Sequence, residues 1–159
     1  MLGKLALIGA GAATMLAVGT MPAYAAYVNL NSFCAPPGDS GKACIHLSWD
    51  QPSGHIHARG AINPNCGHKI TIEEVRLDEQ VTQGGDTYPW APVAKEEADL
   101  TSTCATVDRV AGPVAAQCDN GGGIQFHIAY RAVMHYRVFY DNGYSKGFAI
   151  TTNGIDSPC

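Results

Sequence analysis

Hydrophobic and polar residues alternate with a period of two along most of the chain, and no segment has a convincing helical period. In the stretch CIHLSWD, Ile45, Leu47 and Trp49 share one face, as in a half-buried β-strand. The turn residues Gln51-Pro52-Ser53-Gly54 follow, and then HIHARGAI repeats the alternation. The pattern predicts a β-hairpin in which Asp50 lies opposite His55.

Two further local signals belong to strands. In HKITIEEVRL the apolar phase slips by one residue at Glu73-Glu74, which predicts a β-bulge. Asn142-Gly143 stands between two β-rich runs, which predicts a second hairpin. We count about seven strands with no crossover helix, so the predicted fold is all-β, an antiparallel β-sandwich of immunoglobulin-like or related type.

Two segments are predicted to lie outside the strands. Residues 80–99 are rich in turn residues and are expected to form a long loop, with one helical turn after Pro92. The segment AGPVAAQCDNGGG, which starts at Ala111, is also predicted to be a loop because it ends in three glycines. Between these two segments, ADLTSTCATVD is a predicted strand.

Residues 1–26 have the organisation of an export signal. Lys4 supplies the positive charge, an apolar run follows, and the small residues around Ala25 suit cleavage by a signal peptidase. We therefore expect a secreted, extracellular protein, with no membrane association after the signal is removed. The remaining residues 27–159 form one predicted domain, which begins with a short N-terminal arm at residues 27–33.

The cysteines predict covalent cross-links. An even number in an exported chain indicates disulfides, here three, although six cysteines allow 15 pairings. Short loops favour Cys34–Cys44 and Cys104–Cys118, which leaves Cys66–Cys159 to fix the C-terminus. The six cysteines are Cys34, Cys44, Cys66, Cys104, Cys118 and Cys159.

The charge balance excludes some partners. Lys4 is the only charged residue of the leader, so the rest of the chain has nine basic and fourteen acidic residues and a net charge of −5. There is no basic run, which argues against nucleic acid and anionic membranes as partners. With every thiol paired, we expect no thiolate nucleophile, no metal held by cysteine and no cofactor.

The quartet Gly-Asp-Ser-Gly around Ser40 resembles the nucleophile loop of serine hydrolases. In chymotrypsin-like proteases, however, that serine follows its histidine and aspartate in the chain, whereas Ser40 precedes every histidine here. Pro36-Pro37 and the following polar residues are typical of a turn. We therefore interpret Ser40 as a loop residue and expect no catalytic residues.

A metal site is an alternative hypothesis for the first hairpin. The expected register places four side chains on one outward face, and imidazoles and a carboxylate are suitable metal ligands. These side chains are His46, Asp50, His55 and His57. A solvated polar face explains the same alternation.

Aromatic side chains predict binding surfaces. Tyr136, Tyr140 and Tyr144 lie close to Arg137, and tyrosine and arginine are common interface anchors. The same tyrosines could instead stack on sugar rings, while about half of the aromatic residues must fill the core.

The mature N-terminus, YVNLNSF, is a short alternating stretch ahead of the first cysteine. It is predicted to be either a docked edge strand or a free arm that adds to another protein's sheet or groove. Its candidate binding residues are Tyr27, Val28, Leu30 and Phe33.

The stretch MPAYAAYVNLNSFC, the six cysteines and the final SPC together resemble small secreted bacterial β-sandwich proteins. Among these are protease inhibitors and the adaptor subunits of umbrella toxin particles. The resemblance implies an adaptor that joins subunits of a particle, with residues 27–33 taking part in docking.

We therefore predict a non-catalytic interaction module that binds an extracellular protein partner within a larger complex. A secreted toxin particle is one candidate for that complex. Three alternatives stay open: a metal-binding protein or enzyme that uses the histidine face, a lectin, and a protease inhibitor that uses the stretch TYPWAPVAK.

Overall fold

The computed structural model describes residues 27–35, 41–64, 68–102, 109–119 and 126–159. All regular structure in these ranges is β. The described ranges contain no helix that is long and apolar enough to cross a membrane. The strands are β1 Tyr27–Ala35, β2 Gly41–Asp50, β3 His55–Pro64, β4 Lys69–Gln83, β5 Asp86–Thr87, β6 Ala91–Ser102, β7 Arg109–Gln117, β8 Phe126–Phe139, β9 Ser145–Thr151 and β10 Ile155–Asp156.

The strands form two antiparallel sheets. The first sheet has the order β1-β2-β3-β7, so β1 and β7 are its edges. The second sheet is centred on the long pair β4 and β8. Strands β5 and β6 pair with the far edge of β4, and β9 and β10 pair with the far edge of β8. The all-β, antiparallel prediction is confirmed.

One hydrophobic core includes side chains from both sheets. Ile45 of β2, Ile56 of β3 and Leu77 of β4 are among its fully buried members. The two sheets pack tightly at Gly60, where a Cβ atom would stand 2.5 Å from Sδ of Met134 and 2.8 Å from Cγ2 of Val75 in the second sheet. A larger residue at this position would therefore require these side chains to move.

The local predictions from the sequence are confirmed. Asp50 lies opposite His55 and Ser48 opposite His57, as the four-residue turn requires. The register of β4 with both of its neighbours shifts between Ile72 and Glu74, at the predicted bulge. The hairpin at Asn142-Gly143 joins β8 to β9, and Gly143 has a φ of 81°, which favours glycine.

The two predicted loops are wrong over most of their described length. Residues 80–83 continue β4, a turn at Gly84-Gly85 follows, and residues 91–102 form β6 where a helical turn after Pro92 was expected. Residues 109–117 form β7, because Ala111 and Val114 are buried in the core. Pro113 fits because β7 is an edge strand, where a missing N–H is tolerated. The described residues thus hold eight strands of seven or more residues and two short ones.

The disulfide prediction is partly confirmed. Cys34–Cys44 is present, but Cys118 pairs with Cys159 rather than with Cys104. The pairing of β10 with β8, together with a hydrogen bond from the Ser157 N–H to the carbonyl of Ile128, brings the C-terminus to the end of β7. Cys66 and Cys104 lie outside the described residues, so a third disulfide stays a prediction.

Candidate functional site

Residues 27–33, predicted to be either a docked strand or an arm, belong to edge strand β1. The pairing with β2 runs from Tyr27 opposite Asp50 to Ala35 opposite Ala43. Leu30 lies at an irregularity of this register and packs against the core. Within the described residues, the other side of β1 has no strand beside it.

Three apolar side chains of β1 remain exposed. The exposed fractions are 56% for Tyr27, 39% for Val28 and 47% for Phe33. Val28 and Phe33 lie opposite Trp49 and Ile45, on the core side of the sheet, but at its open margin. We call these three residues and the unpaired backbone beside them the β1 edge. The β1 edge combines exposed apolar surface with free backbone N–H and C=O groups.

A groove crosses the outer face of the first sheet, the side turned away from the core. Its volume is about 430 Å³, and residues from β1, β2, β3 and β7 line it. Tyr27 and Pro113 stand at its two ends, and the small side chains of Ser48 and Ala61 leave space between them. We call this feature the outer-face groove.

Two histidines and an arginine add polar chemistry to the outer-face groove. His46, His57 and Arg59 all line it. The Nδ1 atom of His46 lies 2.9 Å from the Ser32 hydroxyl oxygen, within hydrogen-bond distance. Both ring nitrogens of His57 are buried and have no hydrogen-bond partner among the described residues. The Tyr27 ring meets the His57 ring edge-on, with the ring centroids 5.3 Å apart.

Both groove histidines favour the neutral form. Burial is the main cause that lowers the pKa of His46, and the positive charges of Arg59 and Lys42 lower it further. Burial also lowers the pKa of His57, with a smaller opposing effect from Asp50. A neutral imidazole carries no positive charge, so Arg59 is the cation among the residues that line the groove.

The arrangement of the four candidate metal ligands gives the hypothetical metal site no support. His46, Asp50, His55 and His57 do share one face of the hairpin. Across the described ranges, however, no group of three or more His, Cys, Asp or Glu side chains is arranged to hold a metal ion. Asp50 is buried and accepts a hydrogen bond from Ser53, which directs its carboxylate to the turn.

The residues of the predicted tyrosine cluster near the C-terminus differ in their exposure. Tyr136 is only 2% exposed and stacks on Phe148, and burial raises its pKa. Arg137 forms an ion pair with Glu73. Tyr140 is half-buried and stacks on Tyr144, which at 59% exposed is the accessible ring of the predicted set.

The sequence interpretation missed the role of Arg59, Ala61 and Pro113 in the groove. The hairpin register could have placed Arg59 beside His46, since their Cα positions are opposite. Pro113 could not be found, because its segment was assigned to a loop. Ser40 lies outside the described residues.

No protein-family model matches the chain, and no curated protein matches it.

Proposed function

We propose that this protein is a secreted, non-catalytic interaction module, an adaptor or accessory subunit that docks into an extracellular bacterial complex. A secreted toxin particle is one such complex, as the resemblance of the chain implies. The observation that carries the proposal is the β1 edge, a nine-residue strand with one unpaired side within the described residues and with exposed Tyr27, Val28 and Phe33.

Long open edge strands are usually protected, because they recruit other strands. The β1 edge has no charged residue and no proline, so it lacks two of the common protective features, and its register irregularity is confined to Leu30. An extended segment of a partner could pair with the free backbone of β1 and cover Val28 and Phe33. Docking by strand addition follows from this combination.

A rigid scaffold supports such docking. The disulfide Cys34–Cys44 links β1 to β2, which lowers the entropy that the edge loses on binding. We also propose that the two sheets form a β-sandwich related to immunoglobulin domains. The proposed relation concerns the two-layer architecture and not the strand order. The first sheet has the order β1-β2-β3-β7, which differs from the order A-B-E-D of constant-type immunoglobulin domains. The disulfides are consistent with an extracellular setting.

The test is recovery of partners from the medium of the producing organism. Deleting residues 27–33 would remove a paired strand, so point substitutions are preferable. The variant Val28→Glu/Phe33→Glu places two charges on the β1 edge and should reduce partner recovery at least about tenfold, since burying an unpaired charge is unfavourable. The matched control is Tyr88→Glu, at an exposed residue of the second sheet region.

Circular dichroism and unreduced mass should show that both variants fold and keep their disulfides. Cross-linking followed by mass spectrometry should place the partner next to β1. Equal recovery of the same partners by the wild type and by Val28→Glu/Phe33→Glu would contradict the proposal.

A further inference from the structure

The outer-face groove has the size and composition of a ligand site. Its volume of about 430 Å³ falls within the range of small-molecule sites, roughly 300–1,000 Å³. Because all four strands of the first sheet line it, it spans three inter-strand spacings, or about 14 Å. A second hollow of about 220 Å³ shares His46 and Ala61 with it and continues toward Lys42.

The cations along this face are Arg59 and Lys42. No ion pair involves either of them within the part of the chain that the structure describes. The strands of the first sheet contain one carboxylate, that of Asp50, which is buried at the turn and accepts a hydrogen bond from Ser53, so the two cations outnumber it. Although the chain as a whole is acidic, this face therefore attracts an anionic group.

The other groups in the groove suit hydroxyls and the apolar face of a ring. His57 contributes ring surface to the groove, since both of its nitrogens are buried. Ser48 and Asn29 add a hydroxyl and an amide, and the Tyr27 ring supplies apolar surface. A ligand that matches these groups carries hydroxyl groups, an apolar ring face and an acid group. An acidic sugar has all three.

We propose that the outer-face groove binds a short oligosaccharide that carries a carboxylate. Arg59 holds the carboxylate, Ser48 and Asn29 hydrogen-bond to the hydroxyls, and Tyr27 packs against a ring. An acidic peptide fits less well, since a peptide that adds to β1 runs parallel to the strands, whereas the groove runs across them. This site goes beyond the docking role of the β1 edge.

The first experiment measures binding to the full mature chain. Trigalacturonate, a hyaluronan tetrasaccharide and a mannuronate trimer are titrated by calorimetry and by NMR, with maltotriose as the neutral control. At least one acidic saccharide should bind saturably, more tightly than maltotriose, and shift the ring signals of Tyr27 and His57. Absence of saturable binding by all three acidic saccharides, or equal binding of maltotriose, would overturn the proposal.

The second experiment tests the role of the cation. Arg59→Gln removes an exposed charge and should weaken binding about tenfold or more, the effect of a charge-assisted hydrogen bond. Lys95→Gln, an equal charge change at an exposed residue of β6, should leave binding unchanged. Equal weakening by both variants would show that net charge alone acts, which would also refute the site.

Two further arms separate the alternatives. A tetraglutamate peptide that binds through Arg59 while the saccharides do not would reassign the groove to acidic peptides. Val28→Glu/Phe33→Glu should bind the saccharide as the wild type does, so the failure of the groove proposal and the failure of the docking proposal are distinguishable.

Discussion

The outer faces of the two sheets use charge in opposite ways. On the second sheet, Asp78 is almost fully buried and receives hydrogen bonds from both Arg76 and Arg131. Asp78 and Arg131 are directly opposite on β4 and β8, so the pair joins the two central strands. The Arg131 guanidinium also lies over the Trp90 ring, 4.5 Å from its centroid.

On the first sheet the arrangement is reversed. Arg59 and Lys42 have no ion pair among the described residues. The strands β1 and β2 are joined instead by the disulfide Cys34–Cys44. Charges that neutralise each other stabilise a sheet but are not available to a ligand. Unpaired charges contribute little to folding and remain available for binding, so function is expected on the first sheet.

The largest effect is expected from Asp78→Ala. The substitution removes the buried carboxylate that Arg76 and Arg131 share, and Arg76 keeps only its longer ion pair with Glu74. Breaking a buried pair typically costs about 4 kcal/mol. Urea denaturation should show this loss in the free energy of unfolding. The control, Glu97→Ala, breaks the exposed pair with Lys95 and should cost no more than about 0.5 kcal/mol. Similar losses in both variants would contradict the structural role of Asp78.

Removing the cross-link of the first sheet should be the next largest effect. The double substitution Cys34→Ala/Cys44→Ala opens a loop with a sequence separation of 10 and should lower the free energy of unfolding by about 3 kcal/mol. Hydrogen exchange should accelerate in β1 more than in β4. If exchange in β1 does not change, the disulfide is not what holds the edge strand.

A matched pair of arginines compares the two faces directly. Arg131→Gln removes charge-assisted hydrogen bonds to Asp78 and should cost about 2 kcal/mol of unfolding free energy. Arg59→Gln removes a charge without a partner in the described residues and should change stability by no more than about 0.5 kcal/mol. Thermal and urea unfolding of both variants check the difference, and an equal cost would remove the contrast between the two faces.

The smallest effect concerns pH. The pKa of His46 is lower in the folded protein than its ordinary value of 6.5. When the pH falls below about 6.5, the unfolded chain therefore binds more protons at this residue than the folded protein does. The stabilising contribution is therefore complete above about pH 6.5 and is lost as the pH falls toward the folded pKa. His46→Gln should flatten this part of the profile between about pH 7.5 and pH 5. An unchanged slope would show that the environment of His46 does not favour its neutral form.

Local features were predictable to within a residue. The turn at residues 51–54, the bulge near Glu74 and the hairpin at Asn142-Gly143 each depend on a few neighbouring residues. The candidate site was predictable only in part. Alternation placed His46 and His57 on an outward face, but their surroundings depend on β1 and β7, which approach from distant parts of the chain.

Two errors have the same origin. Residues 109–117 contain a glycine and a proline, so local propensity favours a loop, but β3 offers a free edge and the core accepts Ala111 and Val114. The short intervening loop favours pairing of Cys118 with Cys104, yet the β10–β8 pairing brings Cys159 within bonding distance of Cys118. Local propensity and loop length were overridden by burial and by strand pairing.

The amino-acid sequence alone determined the all-β class, the alternation of inner and outer faces and the positions of the tight turns. The tertiary structure decided which strands are edges, which charges are neutralised and where four strands enclose a groove. The reason is physical: alternation and turn chemistry act between residues close in the chain, whereas pairing register, burial and ion pairs depend on residues that only folding brings together.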